Sequence, residues 1–195
     1  TAGIAHEDAG RMRVEPQEAQ PGPDDRRELS MMHRQAHRLL RLINQLLDLS
    51  RIAELKGIST DGYDVAIGTL TTYTELRHSP VISARLHALA EAAATVGAAQ
   101  IQNRGTIGGN ICNASPAGDT LPVLLAVDAV FDVGSVRGER TIASAEFWPS
   151  YRRTALAQDE LLLRVRFNVD RSRHTRFRKV GTRAAQAISK VVLAL

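Results

Sequence analysis

The sequence predicts an α+β fold, in which short helices share a core with an antiparallel sheet. Apolar residues recur at helical spacing over 83–96. After residue 129, short runs alternate apolar and charged residues, as half-exposed strands do. Between these two regions lies 103–119, a segment rich in glycine and small polar residues. The chain thus combines helices and antiparallel strands around one glycine-rich segment.

The chain divides into three regions. Residues 1–28 contain prolines and acidic residues without apolar periodicity, which predicts a disordered tail. Residues 29–54 are predicted to form an amphipathic helix, because apolar residues repeat at alternating spacings of four and three. Residues 55–195 are predicted to form the α+β domain. The apolar stripe of the first helix consists of Met32, Ala36, Leu39, Ile43 and Leu46.

The domain is predicted to begin with a strand and a short helix. The strand, 65–68, follows a turn at Asp61-Gly62. The helical turn, 74–78, ends at Pro80, which cannot continue a helix.

Two further helices and four strands follow. The first helix is predicted over 83–96, with Ser83 as its N-cap and Gly97 as its stop signal. A short helix over 119–126 has a proline in its first turn. The predicted strands cover 129–134, 139–143, 161–168 and 175–181.

Composition excludes several classes of protein. The chain has 195 residues, of which 44% are hydrophobic and 24% charged, as in an ordinary globular protein. No apolar run approaches the ~18 residues that span a bilayer, so no membrane segment is expected. The single cysteine, Cys112, cannot form an intrachain disulfide or hold an iron–sulfur cluster alone, and it fits a reducing cytoplasm. We expect Cys112 to be a small buried residue.

Basic residues concentrate between Arg164 and Arg183. Such a cluster can attract nucleic acid. Its arginines, however, alternate with apolar residues, which favours the solvated face of a strand. The sequence therefore predicts no nucleic-acid partner.

The glycine-rich segment carries the chemistry of a ligand site. Over 105–110, glycines lie beside the Thr106 hydroxyl and the Asn110 amide. Glycine lets a ligand approach the main chain, and successive backbone N–H groups can bind a phosphate. Asp119 offers a carboxylate to sugar or polyol hydroxyls. The alternative is a tight loop whose glycines serve only its turns.

Several blocks of sequence resemble the flavin-binding domain of the molybdenum hydroxylase family, which includes xanthine dehydrogenase and the medium subunit of carbon monoxide dehydrogenase. The resemblance starts from Thr106-Ile107-Gly108-Gly109-Asn110, with Asn113-Ala114-Ser115-Pro116-Ala117-Gly118-Asp119 after it. It extends over about 47–195 and is closest to the xanthine dehydrogenase small subunit. The other blocks, in family order, are 147–154, 159–163, 177–183 and 188–191.

This resemblance implies part of an FAD-binding domain of the PCMH type, namely its second subdomain. The Thr106–Asn110 segment, expected on an exposed loop, would hold the FAD pyrophosphate. Asp119 would accept hydrogen bonds from cofactor hydroxyls, Leu162 would make an apolar contact, and Lys179 would place a cation near the flavin ring. The cofactor-binding residues implied are Thr106, Ile107, Gly108, Gly109, Asn110, Asp119, Leu162 and Lys179.

The resemblance also implies a function. The chain would relay electrons through FAD from an iron–sulfur partner to NAD, beside a molybdopterin-containing subunit or domain, in the cytoplasm. The substrate is not given by these residues. One departure concerns the first of the family's two glycine loops, since the only adjacent glycine pair in this chain is Gly108-Gly109.

Residues 29–52 resemble a different protein, the second helix of a histidine-kinase dimerisation domain. His33 and His37 do not match the phosphoacceptor box of that family, so no phosphotransfer is expected. Two alternative functions follow, a dimerisation or signalling fragment that forms a homodimer, and an inactive chimera of two sequences.

Overall fold

The computed structural model describes residues 30–33, 35–36, 49–168, 174–182 and 188–195. The chain separates into two units, Thr1–Asp48 and Leu49–Leu195. In the first unit, residues 30–33 and 35–36 are helical, in agreement with that part of the predicted helix 29–54. The predicted tail 1–28 and residues 37–48 of that helix lie outside the described residues. At its end the helix prediction is wrong, because Ser50 and Arg51 form a turn and Ala53–Leu55 form a 3₁₀ helix.

The second unit is built on an antiparallel sheet of five strands in the order β1-β2-β5-β3-β4. The central strand β5 pairs with β2 on one side and β3 on the other. This arrangement confirms the predicted α+β class with an antiparallel sheet. The strands are β1 Ile58–Asp61, β2 Asp64–Gly68, β3 Val130–Ser135, β4 Gly138–Ala143 and β5 Leu161–Asn168.

A separate two-stranded sheet consists of β6 (Phe177–Gly181) and β7 (Ser189–Ala194), which pair antiparallel. The inner face of this hairpin carries Phe177, which is buried, and Lys179, which pairs with Val192. Within the second unit β6 contacts the helix that ends at Thr95, while β7 contacts the helix that begins at Leu121.

Alternation along β5 explains why its prediction over 161–168 is confirmed. Leu162, Val165 and Phe167 are buried, while Arg164 and Arg166 point outward. Both arginines bind Asp132 on β3, at nitrogen–oxygen distances of 3.1 Å from Arg164 and 2.8 Å from Arg166. The predicted solvated strand face is therefore present here and carries ion pairs.

Within 49–168, seven short α-helices cover the sheet and connect its strands. The first begins with a capping box, in which Thr72 and Glu75 bind each other's backbone N–H. The helices are α1 Tyr73–His78, α2 Pro80–Arg85, α3 His87–Thr95, α4 Ala99–Arg104, α5 Ile107–Asn113, α6 Leu121–Ala126 and α7 Ser144–Phe147. Among the described residues, no helix is long and apolar enough to cross a bilayer.

The predicted helix 83–96 is wrong as a single element. Leu86 leaves the helical conformation, with φ −142° and ψ 65°, and divides the segment into α2 and α3. The N-cap is Ser79, whose hydroxyl accepts from the Ile82 N–H at 3.3 Å, because Pro80 starts the helix earlier than expected. Gly97 follows the second helix with φ +53°, as its predicted role as a stop signal requires.

Two predictions around the glycine-rich segment are also wrong. The segment Thr106–Asn110 is not an exposed loop, since Thr106 caps α5 and both Ile107 and Gly108 are buried. The helix forms because the threonine hydroxyl binds its first turn and an aromatic cluster holds its end. Cys112, expected to be buried, is exposed on the outer side of that helix.

The aromatic cluster fixes the position of α5. Phe131, Phe147 and Trp148 pack edge to face, with ring centroids 4.6–5.4 Å apart. The Trp148 indole then donates a hydrogen bond to the Ile111 carbonyl at 3.0 Å. The sheet and α5 therefore share one core, which buries Ile107 and Gly108 and leaves Gly109 exposed.

Candidate functional site

Thr106 organises the first turn of α5. Its hydroxyl oxygen accepts from the Gly109 N–H at 3.1 Å, and its carbonyl accepts from the Asn110 N–H at 3.1 Å. The two preceding N–H groups bind the segment before α1, from Ile107 to the Thr71 carbonyl and from Gly108 to the Thr69 carbonyl. All four backbone donors of Ile107–Asn110 thus have partners within the chain.

The two glycines of α5 differ in their surroundings. A Cβ on Gly108 would collide with the Thr69 hydroxyl and would lie 2.7 Å from the Thr69 carbonyl oxygen. A Cβ on Gly109 would meet only the Thr106 hydroxyl oxygen, at 3.2 Å. Gly108 is therefore required for packing, whereas Gly109 leaves the outer surface of the helix open to an approaching ligand.

Asn110 connects α5 to the start of α6. Its Oδ1 accepts from the buried Thr120 hydroxyl at 2.5 Å. Its Nδ2 group has no recorded acceptor among the described residues, and neither has the hydroxyl proton of Thr106. These two side-chain donors flank the exposed Gly109.

Asp119 lies at the centre of a buried polar cluster. Its side chain is 8% exposed, and its Oδ2 lies 2.6 Å from the Lys179 ammonium. Oδ1 accepts from the Ser189 hydroxyl, while the Thr95 hydroxyl lies 3.3 Å from Oδ2 and donates its proton to the Ala92 carbonyl at 2.8 Å. Lys179 also donates to the Thr95 carbonyl at 3.1 Å. The cluster joins α3, the start of α6, β6 and β7.

The negative charge of the Asp119 carboxylate also acts on Tyr73. Burial raises the pKa of the Tyr73 phenol well above its ordinary value of 10.0, and the negative charge of Asp119 raises that pKa further. The phenol therefore stays neutral in the folded protein at alkaline pH.

The structure brings some of the predicted site residues together and assigns others to the core. Thr106, Gly109 and Asn110 form one surface at the start of α5, while Asp119 and Lys179 bind each other. Ile107 and Leu162 belong to the hydrophobic core, with exposed fractions of 0% and 4%. Their predicted contacts with a cofactor remain predictions.

Sequence reasoning missed Thr95, Thr120 and Ser189. Their contacts link positions far apart in the chain, so no local pattern marks them. Ser189 lies in the block 188–191 that carries the family resemblance, which is the only signal that could have found it.

Comparison of the fold defines the class of protein first. The chain is similar to a chain of the Cu,Mo-CO dehydrogenase, solved in its cyanide-inactivated form, with a TM-score of 0.70 and 29% identity. The match covers 73% of this chain and 50% of that one. The fold is thus that of a component of a molybdenum-containing dehydrogenase.

The family match is more specific. Residues 29–167 match the family described as the FAD binding domain in molybdopterin dehydrogenase. The chain belongs to this family. The match confirms the flavoprotein resemblance and the cofactor, FAD. It also begins at residue 29, so the histidine-kinase resemblance of 29–52 is not supported.

Two relatives show how far the similarity extends. The carbon monoxide dehydrogenase medium chain of Hydrogenophaga pseudoflava is 39% identical over 121 residues, which are 62% of this chain and 42% of that protein. The nicotinate dehydrogenase FAD-subunit of Eubacterium barkeri is 35% identical over 150 residues, 75% of this chain and 51% of that protein. The chain therefore spans about half the length of these relatives.

Proposed function

We propose that this chain is the FAD-binding portion of a molybdenum hydroxylase of the xanthine dehydrogenase type, which passes electrons from an iron–sulfur partner through FAD to NAD. The observation that carries the proposal is the exposed Gly109 between the Thr106 hydroxyl and the Asn110 amide, two donors without an acceptor among the described residues. Membership of the FAD-binding family supports the cofactor. The xanthine dehydrogenase type and the NAD acceptor rest on the sequence resemblance.

The residues present fit the phosphate part of FAD. The Thr106 hydroxyl and the Asn110 amide are neutral donors suited to phosphate oxygens, and Gly109 has no side chain to block their approach. The backbone N–H groups of this turn have partners already, so we assign the contact to the two side chains.

Lys179 supplies the positive charge of the site. It carries three N–H donors, of which Asp119 and the Thr95 carbonyl take two. The third donor can serve a cofactor, and a fixed cation stabilises negative charge on a nearby ring. When bound, FAD supplies reversible hydride and single-electron transfer, while this chain supplies binding and electrostatics.

Asp119 has a less direct relation to the cofactor. Its predicted hydrogen bonds with cofactor hydroxyls would have to compete with the bonds from Lys179 and Ser189. Both carboxylate oxygens are already engaged in a buried cluster. The residue therefore contributes to FAD binding mainly by keeping this cluster intact.

Partners and location belong to the same proposal. We expect an iron–sulfur and a molybdopterin-containing subunit or domain to bind this chain, and NAD to accept the electrons, in the cytoplasm. A homodimer formed through residues 29–52 is a separate hypothesis. Sedimentation velocity tests it, because deletion of 29–52 would then convert a dimer to a monomer.

The single glycine pair sets the expected affinity. With one of the family's two glycine loops absent from this chain, we expect a dissociation constant for FAD of about 1 μM or weaker, near −8 kcal/mol. Gel filtration of the protein after mixing with FAD should show flavin absorption eluting with the protein. Elution of all flavin separately, at concentrations well above that value, would favour the inactive chimera.

A further inference from the structure

The Lys179 ammonium is held by more contacts than its ion pair with Asp119. The Lys179 side chain is only 12% exposed and its ammonium has two acceptors, the Asp119 Oδ2 and the Thr95 carbonyl. Thr95 contributes through this carbonyl, because its hydroxyl proton donates to the Ala92 carbonyl at 2.8 Å. The position of the ammonium is thus set by α3 and by the orientation of one carboxylate.

Ser189 sets that orientation from the opposite side. Its hydroxyl donates to the Asp119 Oδ1, so the two carboxylate oxygens are held by different strands, Oδ1 by β7 and Oδ2 by β6. A carboxylate bound through both oxygens cannot rotate without losing a hydrogen bond. Loss of the Ser189 hydroxyl would therefore let the carboxylate, and with it the lysine, move.

We propose that Ser189, which holds Asp119, and Thr95, whose carbonyl holds Lys179, are positioning residues that keep the Lys179 ammonium in one fixed place beside the flavin. In this arrangement Asp119 acts on the cofactor through Lys179. The inference rests on the proposed function, because it takes the ligand of Lys179 to be FAD. The hydrogen bonds that position the lysine are present in the protein without FAD, so they can be tested separately.

The first test measures the reactivity of Lys179 without cofactor. Reductive methylation with formaldehyde and cyanoborohydride, followed by peptide mass spectrometry, gives the rate at Lys179 relative to the exposed Lys56. The wild-type rate ratio should be low. Ser189→Ala should raise it roughly tenfold, as expected when a hydrogen bond to a charged group is lost. Ser189→Thr, which keeps the hydroxyl, should leave this rate ratio as low as in the wild type.

The matched control is Ser83→Ala, which removes a serine hydroxyl from the exposed surface of α2 and should leave the rate at Lys179 unchanged. Thermal unfolding of each variant shows that the comparison is made on folded protein. An unchanged rate in Ser189→Ala, or an equal rise in Ser83→Ala, would overturn the positioning role.

The second test uses the protein loaded with FAD. Ser189→Ala should lower the midpoint potential of the bound flavin, because a displaced cation stabilises the reduced, negatively charged ring less. Ser189→Thr should return the potential toward the wild-type value. An unchanged potential in Ser189→Ala would contradict the proposal. If no variant binds FAD, the proposed function fails, while the methylation rates still decide whether Ser189 positions Lys179.

Discussion

Asp119 and Lys179 show what sequence reasoning can and cannot give for a single residue. The resemblance predicts that both belong to one site, and the structure places them 2.6 Å apart although 60 positions separate them in the chain. It does not predict that each is the other's main partner. That result depends on burial, on the Thr95 carbonyl and on the Ser189 hydroxyl, which no local pattern reveals.

Substitution of Asp119 should be costly for stability. Asp119→Ala leaves the Lys179 ammonium buried without its carboxylate, which should lower the free energy of unfolding by about 3–5 kcal/mol. The control is Asp159→Ala, whose partner Arg137 is 62% exposed, where the loss should stay under about 1 kcal/mol. Urea unfolding of both variants measures the difference, and equal losses would show that the Asp119 pair is not a buried pair in solution.

Tyr73 predicts a specific dependence on pH. Because burial and Asp119 raise its pKa in the folded protein, the unfolded chain releases the phenol proton at lower pH than the folded one. The contribution of Tyr73 to stability is complete below the unfolded value of 10.0 and declines as pH rises above it.

Unfolding in urea at about pH 9 and about pH 11 measures this dependence. The free energy of unfolding should fall more steeply between these two values in the wild type than in Tyr73→Phe, which has no phenol proton to lose. Parallel curves for the two proteins would contradict the raised pKa.

Helix α5 marks the limit of prediction at the scale of elements. Glycines and a polar residue suggest a loop from the sequence, yet Thr106 provides an N-cap and the segment is helical. Gly108 is needed because Thr69 lies against it, although the two residues are 39 positions apart in the chain. A close approach of this kind is a tertiary contact, and a glycine in the sequence does not distinguish it from a turn.

Strands are easier to predict from the sequence where one face is buried and the other is exposed to solvent. The prediction of β5 over 161–168 is confirmed because buried and exposed residues alternate along it. β7, in contrast, has apolar residues on both faces, with Val191 60% and Leu193 50% exposed, so it shows no alternation in the sequence. The sequence does not predict the helix break at Leu86, because apolar residues continue at helical spacing across it.

The two glycines of α5 should respond differently to alanine. Gly108→Ala forces the Thr69 hydroxyl and carbonyl away and should destabilise the fold by about 1–3 kcal/mol. Gly109→Ala adds a methyl group at an exposed helical position and should be neutral or stabilising by up to about 1 kcal/mol. Chemical unfolding of the pair compares them directly, and a larger loss for Gly109→Ala would contradict the assignment of packing to Gly108.

At the scale of the whole molecule, the class and the cofactor were the most predictable features. The motif blocks occur in family order, and the family match over 29–167 confirms those between 106 and 163. The histidine-kinase resemblance of residues 29–52 is not supported, because an apolar stripe at helical spacing is shared by many helices. Substrate and electron acceptor are not specified by this chain's residues, which cover about half of each relative.

The central claim is that FAD binds at the first turn of α5, and Gly109→Glu tests it most directly. A carboxylate at this exposed position should not disturb the fold, because acidic residues are favourable in the first turn of a helix. It would, however, repel the pyrophosphate. The control is Gln100→Glu, which adds the same charge to the exposed first turn of α4.

Titration of each protein with FAD, followed by flavin fluorescence, gives the dissociation constants. The account predicts saturable binding by the wild type and by Gln100→Glu, and a dissociation constant at least about tenfold higher, near 1.4 kcal/mol, for Gly109→Glu. Binding by Gly109→Glu as tight as that of the wild type would contradict the placement of the site. Absence of binding by the wild type would contradict the central claim itself.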